Sequence, residues 1–261
     1  MTRRRRWVVG GLAAWALVLG VLAVVSHRTD EPTVREQRDL AAALRVVDGA
    51  VGLSLAQAGA DVVPVLMPVT VEEGCRITPF RAGATATSVV RFFTPDAAAF
   101  LGRLGTGYPP AYQVEVSTDG KALRADAGEF VAVRGKVITP SEVQVTITTG
   151  CRPSDGVVSA DLLPETEQHA KPGEVLSVLG AASVEEPRVA FARCPSGRPA
   201  ATASAVGYQV SVDPAVARQH DQGVVVVDSA KVYAYRRGAN EAVVVLPTSD
   251  RDARVYVTEL C

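Results

Sequence analysis

The chain has 261 residues, 48% of them hydrophobic, with 27 basic and 28 acidic side chains. That hydrophobic content suits a packed core and excludes an intrinsically disordered chain. Beyond residue 29 there are 22 basic and 28 acidic side chains, a balance that argues against nucleic acid, whose phosphates require a basic surface.

An arginine cluster followed by a long uncharged segment opens the chain. Arg3 to Arg6 precede a run without charge from Trp7 to Val25. At about 1.5 Å per residue, a helix of that length spans the roughly 30 Å hydrocarbon core of a bilayer. The arginines place the N-terminus inside the cell. We therefore predict a cytoplasmic tail over 1–6 and a transmembrane helix over 7–25, with a cleaved signal peptide as the alternative.

A second helix is predicted after the apolar segment. Residues 30–51 are rich in charge at their start, and Leu40, Leu44 and Val47 recur at helical spacing. This period indicates an amphipathic helix with one apolar face. We expect it to lie just outside the membrane, ahead of the first folded unit.

The remainder of the chain contains a weak internal duplication. A shift of 119 positions places Cys75 on Cys194, and a shift of 110 places Cys151 on Cys261. One deletion of nine residues, near 105–112, reconciles the two shifts. Self-similarity over one long period indicates two copies of a single supersecondary unit.

The two copies occupy residues 52–155 and 156–261, with 153–173 as the connection, and share one predicted order of elements. Each has an extended segment, a cysteine, a long strand, a short helix and three or four closing strands. The strands are predicted because these segments contain β-branched residues and alternate in part between apolar and polar positions. The fold class is therefore α+β, mostly antiparallel β with one short capped helix per unit. The predicted strands are 62–71, 84–93, 112–117, 122–125, 130–138 and 143–149 in the first copy, and 188–192, 203–212, 224–227, 231–235, 242–246 and 254–258 in the second.

Capping residues bound the short helix of each copy. Thr94 is the predicted N-cap of the first helix, with Pro95 at the first helical position and Gly105 at its end. Asp213 and Pro214 repeat this arrangement in the second copy. A capping oxygen accepts an otherwise unpaired amide, and proline has no amide to leave unpaired at that position.

Four cysteines in an exported chain predict two disulfides. Three pairings are open. We favour Cys75 with Cys151 and Cys194 with Cys261, because a unit that once folded alone would have carried its own bond. Each bond closes a loop of about 70 residues, worth roughly 4 kcal/mol in the chain-entropy model.

The sequence contains no recognised catalytic motif. His27, His169 and His220 fall where solvated surface histidines are common: the membrane edge, the connection and a helix end. The acidic pairs at 72–73 and 185–186 are adjacent in sequence, so on a strand their side chains point to opposite faces. We therefore expect no catalytic residue, no metal site and no cofactor.

One aromatic loop is a candidate contact surface. Tyr108 and Tyr112 enclose a Pro-Pro pair, and amphipathic aromatic side chains on a rigid loop can bind a partner. The alternative is a loop that packs back on its own unit.

These features predict a single-pass protein of a bacterial cell membrane, with its N-terminus in the cytoplasm and its C-terminal domain outside. The bilayer, through residues 7–25, and a protein or ligand of the cell envelope would be its partners. We expect a non-enzymatic binding or accessory role. The alternatives are an envelope hydrolase whose carboxylates meet only in three dimensions, favoured by an acid-lined pocket, and a structural subunit of a membrane assembly, favoured by an exposed apolar patch.

Overall fold

The structure is a computed structural model. Two antiparallel sheets of seven strands each make up most of it. It describes residues 3–29, 38–154, 172–210 and 223–261. Helices are few, so the architecture is α+β, as the sequence predicts.

The first sheet follows the alternation of its strand residues. Along its longest strand, buried and partly exposed positions alternate from 84 to 92, which is the period-two pattern of a sheet with one covered face. Its strands are β1 (Val63–Leu66), β2 (Thr70–Thr78), β3 (Arg81–Phe93), β4 (Glu115–Val116), β5 (Ala122–Asp126), β6 (Ala132–Thr139) and β7 (Glu142–Thr148). They pair in the order β1-β3-β7-β6-β5-β4, and β2 pairs with the other half of β3.

The second sheet repeats this topology. It pairs in the order β8-β10-β14-β13-β12-β11, with β9 on β10, so each strand takes the place of the strand seven earlier. The strands are β8 (Ser183–Val184), β9 (Arg188–Arg193), β10 (Pro199–Tyr208), β11 (Val224–Ser229), β12 (Val232–Arg237), β13 (Glu241–Pro247) and β14 (Asp252–Glu259). Two copies of one unit, as the cysteine spacing predicts, account for the match.

The long strands of the two copies do not correspond at the shift of 119 predicted for the earlier part of the copies. Thr87 lies opposite Thr148 in the first sheet, and Thr202 lies opposite Thr258 in the second, so β3 and β10 correspond at a shift of 115. The β2–β3 hairpin has two register irregularities, one of them at Gly74, where φ is 84°. The ladder of β9 with β10 runs without one. Cys75 lies 12 positions before Thr87, whereas Cys194 lies 8 positions before Thr202, so the cysteines and the long strands need different shifts.

The helix predicted over 30–51 begins and ends later. It spans Leu40–Ala56 (α2), while residues 30–37 lie outside the described residues. Asp39 is the N-cap, and its carboxylate accepts a hydrogen bond from the Ala42 amide at 2.6 Å, which fixes the helix start. The apolar face that carries Leu44 and Val47 is buried, and α2 packs on β3 and β7.

The short helix of the first copy, α3 (Ala97–Gly107), also corrects the sequence prediction. Asp96 is its N-cap rather than Thr94, because the Asp96 carboxylate accepts the Ala99 amide at 3.0 Å. Thr94 is buried instead, and its amide donates to the Ser141 carbonyl at 3.1 Å. The helix continues past Gly105 to Gly107. The corresponding helix predicted at Asp213 and Pro214 lies outside the described residues.

A helix that the sequence did not predict begins the second unit. It is α4 (Pro172–Val178), at the end of the stretch predicted as a connection; residues 155–171 of that stretch are not described. It packs on β10 and β14, the strands that correspond to β3 and β7. This short helix therefore occupies the position that α2 has on the first sheet.

Strand β1 joins the cores of the two units. Val63 and Val65 pack in a cluster with Val244 and Tyr256 of the second sheet. The Leu66 amide donates to the Thr202 hydroxyl of the second sheet at 3.0 Å. All four β1 residues are buried, so the two sheets meet across β1 rather than standing apart.

The N-terminal helix, α1, spans Arg3–Thr29. Its side-chain environment is described for residues 11–25, and every one of these is exposed. Over the residues that the structure describes, no helix has both the length and the apolar character required to cross a membrane.

Candidate functional site

The two disulfides are the pairs that the sequence favours. Cys75 on β2 is bonded to Cys151, three residues after β7, with their Cα atoms 5.9 Å apart. Cys194, just after β9, is bonded to Cys261, two residues after β14, with a Cα separation of 5.5 Å. Each bond therefore links corresponding places in its unit, and the prediction is confirmed.

The proposed contact loop packs on its own unit. Tyr108 is buried, and its hydroxyl lies 2.6 Å from the hydroxyl of Ser54 on α2. Ser54 in turn donates to the Ala50 carbonyl at 2.7 Å. Tyr112 is partly buried and stacks on Tyr108, with ring centroids 5.5 Å apart. Burial raises the pKa of Tyr108 to about 12, despite the hydrogen bond with Ser54. Tyr108 therefore offers no surface to a partner and instead ties α3 to α2.

Of the other titratable residues singled out in the sequence, the structure describes the two acidic pairs but not the histidine side chains. His169, His220 and the side chain of His27 lie outside the described residues. The acids at 72–73 are exposed on β2. Among the described residues, no group of three or more His, Cys, Asp or Glu side chains could hold a metal ion.

One opening lies where the two units meet. It has a volume of about 420 Å³ and lies between α2, β3 and β9. We call it the junction pocket. Its size falls within the roughly 300–1,000 Å³ range of small-molecule sites, which often lie at domain interfaces. Most of its lining is apolar, including Leu44, Val47, Val51, Val69, Phe191 and Pro195.

A close contact between α2 and β9 forms one end of this pocket. The Arg193 amide donates to a carboxylate oxygen of Asp48 at 3.0 Å, and the Arg193 Nε lies 3.7 Å from the other oxygen. A Cβ on Gly52 would lie 1.9 Å from the Arg193 carbonyl oxygen. Only glycine permits this approach, because any side chain would overlap the backbone of β9. Gly52 and Asp48 thus fix how α2 meets the second unit.

Ser88 contributes a buried hydroxyl to the pocket lining. It lies on the face of β3 that packs against α2, between Ala86 and Val90, and is fully buried. No described residue makes a hydrogen bond with its Oγ. A buried hydroxyl without a partner costs about 1–3 kcal/mol. The pocket wall therefore holds a donor that the protein does not satisfy.

The charged groups of the junction pocket are unevenly paired. Asp48 is held by Arg193, as described above. Arg45 is exposed at the rim, one position from Leu44 on α2, and no ion pair joins it to a described residue. The rim therefore presents one positive charge that is available to a ligand.

A second pocket, of about 260 Å³, contains the other acidic pair. Glu185 and Glu186 line it with Arg188 and Arg254. The Tyr208 hydroxyl donates to the Glu185 carboxylate, and this hydrogen bond raises the pKa of Tyr208. Two guanidinium groups and two carboxylates share this pocket, which is typical of a solvated ionic surface.

Sequence reasoning missed the junction pocket, although two signals pointed to it. Gly52 lies inside α2, and a glycine within a helix can mark a close approach of another chain segment. Ser88 interrupts a buried row of small and apolar residues.

Comparisons with protein-family models, curated proteins and solved structures gave no match for this chain.

Proposed function

We propose that this chain is a non-enzymatic binding or accessory protein of a bacterial cell envelope. Residues 7–25 anchor it in the cell membrane, the N-terminus is cytoplasmic, and the two disulfide-bonded units lie outside the cytoplasm. The junction pocket carries the binding part of the proposal, because it has the size and the apolar lining of a ligand site.

The exposed side chains of α1 support the anchor. Nine large apolar residues between Leu12 and Val25 are each at least 47% exposed. Such a continuous apolar surface is unfavourable in water and marks a site of membrane or protein interaction. The arginines at 3–6 favour the orientation with the N-terminus inside.

The two disulfides support the compartment. All four cysteines are paired, and such bonds persist in oxidising environments outside the cytoplasm. The bond of Cys261 also holds the end of β14, which would otherwise fray.

The lining of the junction pocket favours binding over hydrolysis. A glycosidase-type site needs two carboxylates across one cleft, whereas the pocket contains one, Asp48, which Arg193 engages. The two acids of the second pocket share it with Arg188 and Arg254, a composition that suits a solvated ionic surface.

Membrane topology tests the proposal directly. The full chain, tagged at its C-terminus, is expressed in a bacterium, and membranes are washed with alkaline carbonate. We expect the intact chain to stay in the membrane and the tag to be digested by protease added to spheroplasts.

A matched pair of variants sharpens the test. Replacing Val18 and Val21 with arginine should release the chain, since each charge near the bilayer centre costs about 3 kcal/mol. The same change at Val224 and Val225, exposed on β11, should leave it bound. Release of a form beginning near His27, or a protected tag, would contradict the anchor and its orientation.

A further inference from the structure

We propose that the junction pocket binds a single-chain anionic phospholipid, with its acyl chain against the apolar walls, its ester carbonyl at Ser88 and its phosphate at Arg45. This deepens the function proposed above and rests on it, because the membrane is the source of the ligand.

The apolar walls fit one acyl chain. Leu44, Val47 and Val51 of α2 line the pocket together with Val69 and Phe191. A hydrocarbon chain gains free energy in such a cavity in proportion to the apolar area removed from water. A pocket of about 420 Å³ leaves little room for a second chain beside the first, which selects single-chain lipids.

The position of α2 along the chain brings the pocket near the bilayer. Ten residues separate the end of α1 at Thr29 from the start of α2 at Leu40. Ten residues reach at most about 35 Å even when fully extended. If α1 lies in the bilayer, lipid is therefore the most concentrated apolar ligand close to the pocket.

Ser88 selects a ligand that carries an oxygen acceptor inside the pocket. Its hydroxyl is buried and lacks a partner among the described residues, so an incoming acceptor forms a hydrogen bond and removes the cost of an unpaired donor. An ester carbonyl supplies this acceptor at the head of an acyl chain. A plain hydrocarbon does not.

Arg45 selects the sign of the head group. Its guanidinium is at the rim, while the carboxylate of Asp48 is already engaged by Arg193. Arginine binds phosphate oxygens through charge-assisted hydrogen bonds. A zwitterionic head group would gain less, because its own cation offsets this attraction.

The test uses the full chain in nanodiscs of phosphatidylcholine. A lauroyl lysophosphatidylglycerol with a diazirine in its acyl chain is added, photolysed, and the labelled peptides are identified by mass spectrometry. We expect label on the peptides that contain Val69 or residues 44–53, and competition by unlabelled lysophosphatidylglycerol.

Three variants and one control variant assign the contacts. Gly49→Leu, whose added Cβ meets no atom within 4 Å, should fill the pocket and abolish its labelling, whereas Gly102→Leu on α3, equally open, should not. Ser88→Ala should weaken competition by the ester lipid about five-fold, the value of one neutral hydrogen bond, and leave the ether-linked analogue unchanged. Arg45→Gln should weaken lysophosphatidylglycerol about two- to five-fold, as for an exposed ion pair, and should weaken lysophosphatidylcholine less.

The positions of the label separate the two proposals. Label on residues 11–25 reports contact of α1 with lipid, and label at the pocket reports ligand binding. Label on α1 without pocket label would overturn the ligand assignment and leave the anchor standing. Pocket label without α1 label would overturn the anchor. Equal effects of Ser88→Ala on ester and ether lipids would overturn the assigned orientation.

Discussion

The two units have the same strand order, but they differ in what covers the strand that forms a hairpin with the long strand. This strand is β2, paired with β3, in the first unit and β9, paired with β10, in the second. In the second unit, β9 packs against α2 of the first unit. In the first unit, β2 is exposed along most of its length, and its bulges disrupt the edge that could pair with another chain. Duplicated topology therefore does not give duplicated surfaces.

The length of the leading helix explains the difference. The 17 residues of α2 cover the first sheet and also reach β9, whereas the seven residues of α4 cover the second sheet alone. One long helix thus creates both the contact between the units and the pocket beside it. Variants can therefore separate the stability that each unit has on its own from the stability that it gains from α2.

Removal of the disulfides should have the largest effect. The loops closed by Cys75–Cys151 and Cys194–Cys261 span 76 and 67 residues, so each double change to alanine should cost about 4 kcal/mol of unfolding free energy from loop entropy. Cys194 also packs in the hydrophobic cluster that contains α2, so its loss should cost more than the loss of Cys75.

Urea unfolding of both double variants measures this difference. The first pair is the internal control, because Cys75 is only partly buried on β2 and does not belong to the hydrophobic cluster that contains Cys194. Equal losses for the two pairs would show that the second bond contributes nothing to the contact between units.

Substitution at Gly52 should have the next largest effect. In Gly52→Ala the new Cβ meets the Arg193 carbonyl, so α2 and β9 must separate, and overpacking of this kind costs about 1–3 kcal/mol. Gly102→Ala, on the open side of α3, should instead stabilise the protein by up to about 1 kcal/mol through helix propensity. Thermal unfolding compares the two variants, and a stabilised Gly52→Ala protein would refute the close contact.

The strands and disulfides could be predicted because their signals are local or repeated. Alternating β-branched residues identified the long strand at 84–93, and the cysteine spacing gave the pairing. The junction pocket could not be predicted, since it depends on Gly52 meeting Arg193, 141 positions away in the sequence. The cap at Asp96 was missed because Thr94 and Pro95 offered an equally good local signal.

The smallest expected effect tests the link between α2 and α3 through Tyr108. Because burial raises the folded-state pKa of this phenol to about 12 from 10.0, folding favours its neutral form. The associated stability is complete below pH 10 and is lost as the pH rises from 10 towards 12. By pH 11 the loss is about 1.4 kcal/mol. Tyr108→Phe cannot ionise, so its unfolding free energy should fall less over pH 9–11 than that of the wild type. An identical pH dependence in the two proteins would mean that the hydroxyl is not buried against Ser54, and that the loop is free to serve as a contact surface after all.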